Sequence, residues 1–130
     1  MPTHVKVVHA RDFVRATAEG VFDLENSGRL LVELFTAGAH LDNFDVILDT
    51  RKAQSDLSAA DLWSLAVRLA NYRKILGGRT AVLCPTERFE RATFFSVCAE
   101  NRGLDIRPFT SFEDAMEWLI EDRPATHKKV

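Results

Sequence analysis

The chain has 130 residues, of which 46% are hydrophobic, and its formal net charge is -2. This length and apolar content fit one domain with one well-filled core. Acidic and basic residues are interspersed and no apolar run approaches the roughly 18 residues that cross a bilayer, so the composition argues against nucleic-acid binding and an integral membrane protein.

The N-terminus and the cysteines favour a cytoplasmic protein. Residues 1–5 lack the charged region and following apolar region of a signal peptide. Cys84 and Cys98 lie far apart and are interpreted as free thiols in a reducing compartment. We predict a single domain over residues 1–122 and a disordered tail over residues 123–130.

The first two predicted elements form an antiparallel hairpin. Valines within residues 5–8 indicate a first strand, and the loose alternation of apolar and polar residues over 13–18 indicates a second. Residues 11–12 are predicted to be the tight turn between them. Gly20 is expected to end the second strand, because glycine weakens a strand interior.

A helix and a buried strand are predicted next. Asp23 is a suitable N-cap for a first helix that runs to about residue 40, with leucines at helical spacing. The strand over residues 44–48 contains three consecutive aliphatic residues, which is typical of a strand buried on both faces of a parallel sheet. Residues 49–51 are expected to close this strand, and residues 52–57 are predicted to be a polar loop.

The second helix is predicted to begin at Ser58. Asp61 follows three residues later and completes a capping box in which aspartate replaces the usual glutamate. Gly77–Gly78 is expected to end the helix, and residues 80–84 form the next strand. The apolar face of this helix is predicted to comprise Leu62, Leu65, Ala66, Leu69 and Tyr72.

The last third of the chain repeats the strand-helix alternation. Thr86 is predicted to cap a third helix that runs to about Asn101 and is ended by Gly103. Residues 104–109 form the last strand, and Ser111 caps the last helix. The buried stripe of that helix is predicted to comprise Phe112, Ala115, Met116, Leu119 and Ile120. The order ββαβαβαβα predicts an α/β fold with right-handed crossovers and a mostly parallel central sheet.

Four segments carry a resemblance to a known family. They are the N-terminal hairpin, the strand and polar triplet Val46–Arg51, the glycine-led strand Gly77–Leu83, and the unit of Asp105–Phe109 followed by Phe112–Leu119. Over about residues 4–121 this arrangement resembles the STAS domain family of SpoIIAA-type anti-sigma-factor antagonists, and more closely its small bacterial SpoIIAA-like or STAS/SEC14-like branch. The resemblance implies a non-catalytic regulatory domain that acts by protein-protein recognition.

The SEC14-like label implies a different function, that of a small-molecule or lipid carrier. An apolar cavity beneath the second and third helices would favour this alternative. A third alternative is an enzyme that uses Cys84 or Asp49, which would require a cleft with convergent titratable groups.

Ser58 is the candidate for regulation. In signalling members of the family, a serine at the start of the second helix, in a motif resembling Asp-Ser-Ser-Gly-Leu, is phosphorylated by the partner kinase. Residues 56–62 read Asp-Leu-Ser-Ala-Ala-Asp-Leu, so Ser58 matches by location while the second serine and the glycine are absent. Asp61 adds a negative charge beside any phosphate. We favour a capping role for Ser58 over a phosphoacceptor role.

Polar residues after the central strand form the candidate binding site. The carboxyl ends of parallel strands are where ligands usually bind in an α/β sheet. The alternative is that Asp49 and Arg51 only pair with their neighbours. The site is predicted to contain Asp49, Thr50, Arg51, Gln54 and Ser55.

Aromatic residues on the second and third helices extend this candidate surface. Trp63 lies at the margin of the apolar stripe of the second helix and is predicted to be partly exposed, as a recognition anchor beside the polar loop. Phe94 and Phe95 are adjacent, so they point about 100° apart on a helix. Either one of them is exposed and binds a partner, or both flank a wide core stripe.

Metal, cofactor and thiol chemistry are not indicated. Cys84 precedes a helix, but Arg91 is one residue too distant for a phosphatase loop, so a buried structural cysteine is predicted. The four histidines fall at no metal-ligand spacing, and Gly77–Gly78 precedes a strand rather than a helix, so neither a metal nor a phosphate cofactor is expected.

Overall fold

The computed structural model of the chain describes residues 4–10, 13–38, 45–72 and 78–121. Within these ranges, five strands form one sheet in the order β1-β2-β3-β4-β5; β1 is antiparallel to β2, and β2 to β5 are parallel to one another. The predicted α/β class is therefore confirmed. The elements are β1 (His4–Ala10), β2 (Phe13–Phe22), α1 (Leu24–Gly38), β3 (Asp45–Ser55), α2 (Ala59–Ala70), β4 (Arg79–Leu83), a 3₁₀ turn (Thr86–Arg88), α3 (Phe89–Glu100), β5 (Asp105–Phe109) and α4 (Phe112–Ile120).

The helices cover both faces of the sheet. Buried residues of α1 pack on β2 and β3, and those of α2 and α3 pack together with β5, so these three helices share one face. Helix α4 packs on the opposite face against β3 and β4. Connections of one hand between neighbouring parallel strands place their helices on a single face in this way. Representative buried residues are Val14 and Leu34 beneath α1, Leu69 and Ile106 between α2, α3 and β5, and Ile47 and Leu119 beneath α4.

Strand β3 contains a bulge in the segment that was predicted to be a loop. Thr17 pairs with Asp49 and Glu19 pairs with Lys52, so residues 50–51 of β3 stand opposite a single residue of β2. The strand then continues in register to Ser55, and the loop prediction for residues 52–57 was wrong over most of its length. The cause is pairing with β2, which supplies backbone partners to a polar sequence that has no apolar pattern of its own.

Two other predicted ends lie elsewhere in the structure. Strand β2 passes through Gly20, which adopts a positive φ of 99°, and ends at Phe22. Helix α2 ends at Ala70 with Asn71 as its C-cap, before Gly77–Gly78, so Tyr72 follows the helix but still packs against the core. The conformational preference of glycine predicts the local backbone at these positions. Tertiary contacts decide where the strand or helix ends, and the preference does not predict them.

Helix α3 begins differently from the sequence prediction and ends as predicted. No side chain caps the 3₁₀ turn or α3, so the predicted capping role of Thr86 was wrong. At the other end, Gly103 has a φ of 87° and the Leu104 backbone N–H donates to the carbonyl of Ala99 at 3.1 Å. This six-to-one bond with a left-handed glycine is a Schellman ending, which any side chain at residue 103 would strain.

Helix α4 buries a tryptophan instead of its last isoleucine. Ile120 was predicted to be in the buried stripe but is 72% exposed, whereas Trp118 is buried. Two guanidinium groups lie over the indole, that of Arg79 at 5.2 Å and that of Arg107 at 4.9 Å from the ring centroid. Arg79 also donates to the carbonyl of Trp118, so one arginine fixes both the ring and the backbone of α4.

The turn predicted at residues 11–12, the domain boundary at residue 122 and the tail over residues 123–130 lie outside the described residues.

Candidate functional site

A partly open cavity of about 150 Å³ lies between the sheet and helices α1, α2 and α3. Its walls come from the carboxyl halves of β2, β3 and β4 and from the amino halves of the helices. This is the apolar cavity beneath the second and third helices that would favour a carrier. The apolar walls include Ala18, Leu30, Leu48, Leu65, Val82 and Phe95.

Three of the predicted binding residues line this cavity. Thr50, Gln54 and Ser55 lie in its wall, although they belong to a bulged strand rather than to a loop. The hydroxyl of Thr50 donates to the carbonyl of Leu83 at 2.7 Å, which ties β3 to the end of β4. The polar part of the cavity is therefore held by the sheet itself, which is a more rigid support than a loop.

Arg88 secures the bulge. Its guanidinium donates to the carbonyl of Ala53 at 2.9 Å and to the carbonyl of Thr50 at 2.7 Å. A bulge interrupts the regular ladder of backbone hydrogen bonds, and these two contacts supply partners to carbonyls on either side of the interruption. Arg88 thereby joins the 3₁₀ turn to β3 at the cavity wall.

Asp49 and Arg51 lie away from the cavity. They alternate with Thr50 along β3, so they point to the face that α4 covers. The Arg51 guanidinium meets the carboxylate through two bonds, Nε to Oδ1 at 3.0 Å and Nη2 to Oδ2 at 2.9 Å. Burial by itself would raise the pKa of Asp49, but the hydrogen bonds and charge of Arg51 outweigh it and hold that pKa below its ordinary value. The structure thus shows the neighbour pairing that was the alternative to a binding role.

Ser58 caps α2 as predicted. Its hydroxyl accepts from the backbone N–H of Asp61 at 3.1 Å, and the Asp61 carboxylate accepts from the backbone N–H of Ser58 at 3.0 Å. This reciprocal pair is a complete capping box with aspartate in the second position. The hydroxyl of Ser58 is therefore engaged in holding the helix, and the residue is exposed.

The outer sides of α2 and α3 expose large apolar side chains. Trp63 is 51% exposed, Val97 is 49%, Phe94 is 41% and Phe89 is 40%. We call these four residues the α2–α3 surface. Arg102 stacks on the Trp63 ring at 5.4 Å, which connects the end of α3 to α2. An amphipathic helix normally turns polar residues outward, whereas α3 turns three apolar residues outward.

Phe94 and Phe95 divide between surface and core. Phe94 belongs to the α2–α3 surface, while Phe95 is half-buried, packs against the cluster around Leu69 and lines the cavity. Of the two alternatives for this pair, the structure supports exposure of one.

Two solved structures have the architecture described above. One is an uncharacterized protein of the DUF3478 family with a SpoIIAA-like fold from Shewanella loihica PV-4, with 18% identity and a TM-score of 0.55 over 90% of this chain and 93% of that one. The other is an anti-sigma factor antagonist from Mycobacterium paratuberculosis, with 14% identity and a TM-score of 0.62 over 91% of this chain and 94% of that one. The chain has the SpoIIAA-like fold. No protein-family model matches the sequence, and no curated protein matches it significantly.

The capping box at the start of α2 makes a measurable contribution to this SpoIIAA-like domain. Ser58→Ala should lower the free energy of unfolding by about 1 kcal/mol, because one backbone N–H in the first turn loses its acceptor. Ser64→Ala inside the same helix should change it by no more than a few tenths of a kcal/mol. Urea unfolding of the three proteins makes the comparison.

Phosphate found on Ser58 in protein isolated from the native host would contradict the purely structural role and support the phosphoacceptor role.

Cys84 is buried in the wall of the cavity. The residue is 2% exposed, as predicted, and its backbone N–H donates to the carbonyl of Phe109 at 2.9 Å. Burial raises the pKa of the Cys84 thiol, and the positive charge of Arg88 reverses only part of that rise. A raised pKa lowers the thiolate fraction at neutral pH, and thiolate is the reactive form.

Labelling with a thiol reagent tests this assignment. In Cys98→Ala, where Cys84 is the remaining thiol, reaction at neutral pH should be slow in the folded protein and rapid after unfolding in urea. The rate in the folded protein should rise only at a more alkaline pH than for an exposed cysteine. Fast stoichiometric labelling of the folded protein would instead make the thiol-based enzyme credible.

Sequence reasoning missed the two arginines at the cavity. Arg88 and Arg91 stand three residues apart where a strand gives way to a helix, and both line the cavity. The guanidinium of Arg91 donates to the carbonyl of Leu57, just before α2. Their spacing of three residues places both on one side of the helical turn, and that spacing was the available signal in the sequence.

The described residues show neither a metal-binding cluster nor a membrane-spanning helix. They contain no group of three or more His, Cys, Asp and Glu side chains arranged to hold a metal ion. Among the same residues, no helix has the length and apolar character required to span a membrane.

Proposed function

We propose that the chain is a non-catalytic, cytosolic regulatory domain that recognises a partner protein through the α2–α3 surface. The observation that supports this most directly is the outward exposure of Trp63, Phe89, Phe94 and Val97 on neighbouring helices. Interface centres are enriched in aromatic side chains, and an arginine stacked on tryptophan is a common companion of such anchors. The partner then presents a mainly apolar contact surface.

The regulatory part of this proposal draws on the comparison with the mycobacterial protein. That protein is named as an anti-sigma factor antagonist, and the shared fold extends over 91% of this chain. The described residues add support. Thr50 and Arg88 at the cavity donate to backbone carbonyls, and Asp49 and Arg51 on the other face of the sheet pair with each other, so none of these groups forms a nucleophile–base pair. We carry over a regulatory role and leave the partner to experiment.

Capture from native cytosol tests the proposal. The immobilised full chain, its Trp63→Ala variant and its Ile120→Ala variant are compared as baits, and bound proteins are identified by mass spectrometry. Ile120 is a suitable control because it is a strongly exposed apolar residue on α4, which covers the other face of the sheet. The proposal expects a protein retained by the wild type and by Ile120→Ala but lost with Trp63→Ala. Equal retention by all three baits would contradict it.

A second function, small-molecule binding, is favoured by the cavity. A cavity of about 150 Å³ with mostly apolar walls suits a small apolar ligand, since dry engineered cavities of similar size bind benzene. We propose this as the alternative function, and it does not exclude recognition of a protein on the neighbouring surface.

A further inference from the structure

We infer that the ligand of the cavity is a small carboxylic acid, whose apolar part enters the cavity and whose carboxylate binds Arg91. This inference rests on the proposed small-molecule function and specifies the chemistry of its ligand. Three observations support it: the charges that line the cavity, the hydrogen bonds that each arginine already forms, and the volume of the cavity.

The charges that line the cavity are all of one sign. Two arginines, Arg88 and Arg91, contribute to its wall and no aspartate or glutamate does. Among the described residues, no carboxylate forms an ion pair with either guanidinium. A cavity that is apolar inside and cationic at its wall complements an amphipathic anion.

The two arginines differ in how many of their guanidinium N–H donors already form hydrogen bonds. The guanidinium of Arg88 donates to the carbonyls of Thr50 and Ala53, and these bonds fix it against the bulge. Arg91 is exposed and, within the described residues, donates only to the carbonyl of Leu57. A guanidinium carries five N–H donors, so Arg91 retains the paired donors that meet a carboxylate through two bonds. Arg91 is therefore the binding arginine, and Arg88 positions the wall beside it.

The volume limits the apolar part of the acid. A cavity of about 150 Å³ accommodates roughly the six carbons of benzene, so the ligand is a short aliphatic or single-ring acid rather than a long-chain fatty acid. Leu48, Leu65 and Phe95 form the apolar wall that such a group would contact.

Titration with octanoate and with octan-1-ol tests the inference, because the two probes share a chain and differ in the charge of the head group. Calorimetry gives the affinity, and amide chemical shifts of the ¹⁵N-labelled full chain locate the site. We expect saturable octanoate binding with shifts at the cavity-lining residues. Octan-1-ol should bind at least about tenfold more weakly, since a hydrogen bond to a charged group is stronger than one between neutral groups.

Variants test the charge of Arg91 and the volume of the cavity separately. Arg91→Gln should weaken octanoate binding about tenfold or more and leave octan-1-ol unchanged. Arg91→Lys should retain only part of the affinity, because lysine keeps the charge but not the paired donors, and Arg107→Gln, outside the cavity, should have no effect. Ala92→Leu, which fills the cavity from α3, should abolish binding of both probes.

The outcomes distinguish the inference from the function on which it rests. Equal affinity for the two probes, or full octanoate affinity in Arg91→Gln, would overturn the carboxylate inference while leaving a cavity for apolar molecules. Absence of binding by either probe would overturn both. Binding of hexadecanoate with shifts at the same cavity residues and higher affinity than octanoate would overturn the size limit.

Discussion

Replacing Trp118 with alanine should lower the free energy of unfolding by about 3–5 kcal/mol. The indole is buried between α4 and the sheet, packs at 5.6 Å from the ring of Phe109 and is in contact with two guanidinium groups. Alanine would leave a cavity, and it would also remove the ring that accompanies the buried guanidinium of Arg79, whose nearest carboxylate, that of Asp105, is 3.9 Å away. Both effects lower the free energy of unfolding.

The other tryptophan is the matched control. Trp63→Ala should change the free energy of unfolding by less than about 1 kcal/mol, because the ring is half exposed and its removal leaves no closed cavity. Urea unfolding followed by far-ultraviolet circular dichroism measures both variants without dependence on tryptophan fluorescence. Similar losses for Trp63→Ala and Trp118→Ala would show that the packing of α4 on the sheet is less important than the structure implies.

Trp63→Ala should weaken binding of the protein partner by about thirtyfold or more. Truncation of an aromatic anchor at the centre of an interface costs about 2 kcal/mol or more, which corresponds to that factor in affinity. Trp63 is the most exposed member of the α2–α3 surface, and the stacked guanidinium of Arg102 restricts its motion before binding. Surface plasmon resonance with the captured partner measures the change.

Ile120→Ala serves as the control for this measurement. It removes an even more exposed apolar side chain, but from α4 on the other face of the sheet, and should leave the affinity unchanged. If Trp63→Ala binds as tightly as the wild type while remaining folded, recognition does not use this surface.

The fold could be predicted from the sequence where local and tertiary preferences agree. Three consecutive aliphatic residues in β3 and the alternation of strands with helices specify a parallel sheet. Ser58 and Ser111 mark helix starts because each hydroxyl accepts from a backbone N–H three residues later, a contact that depends only on local spacing.

The candidate site was harder to predict because its geometry arises between strands. The bulge at residues 50–51 depends on pairing with β2, and no residue type in the segment predicts it. Pairing with β2 lengthens the strand, and the alternation of side chains divides the predicted cluster, with Thr50 at the cavity and the Asp49–Arg51 pair on the opposite face. Sequence proximity could not show this separation, since alternation along a strand sends neighbours to different sides.

The position of the cavity has a topological cause. The crevice expected at the carboxyl ends of parallel strands forms where the strand order reverses and the helices on either side diverge. Here the described strands follow one another without reversal, so there is no such divergence. Space for a ligand is found instead between the sheet and its three helices, where Arg88 and Arg91 approach the carbonyls before α2.

The same strand order bears on how the chain folds during synthesis. Each strand from β2 onward pairs with the strand that precedes it in the chain, so its docking edge has already left the ribosome when it emerges. Contacts between chain neighbours keep the contact order low for a parallel sheet, which favours rapid folding. Helix α4 follows all the strands in the chain, and until it docks, the face with Ile47, Ala81 and Leu83 is open to solvent. A nascent chain halted before residue 112 would therefore expose this apolar sheet face to solvent.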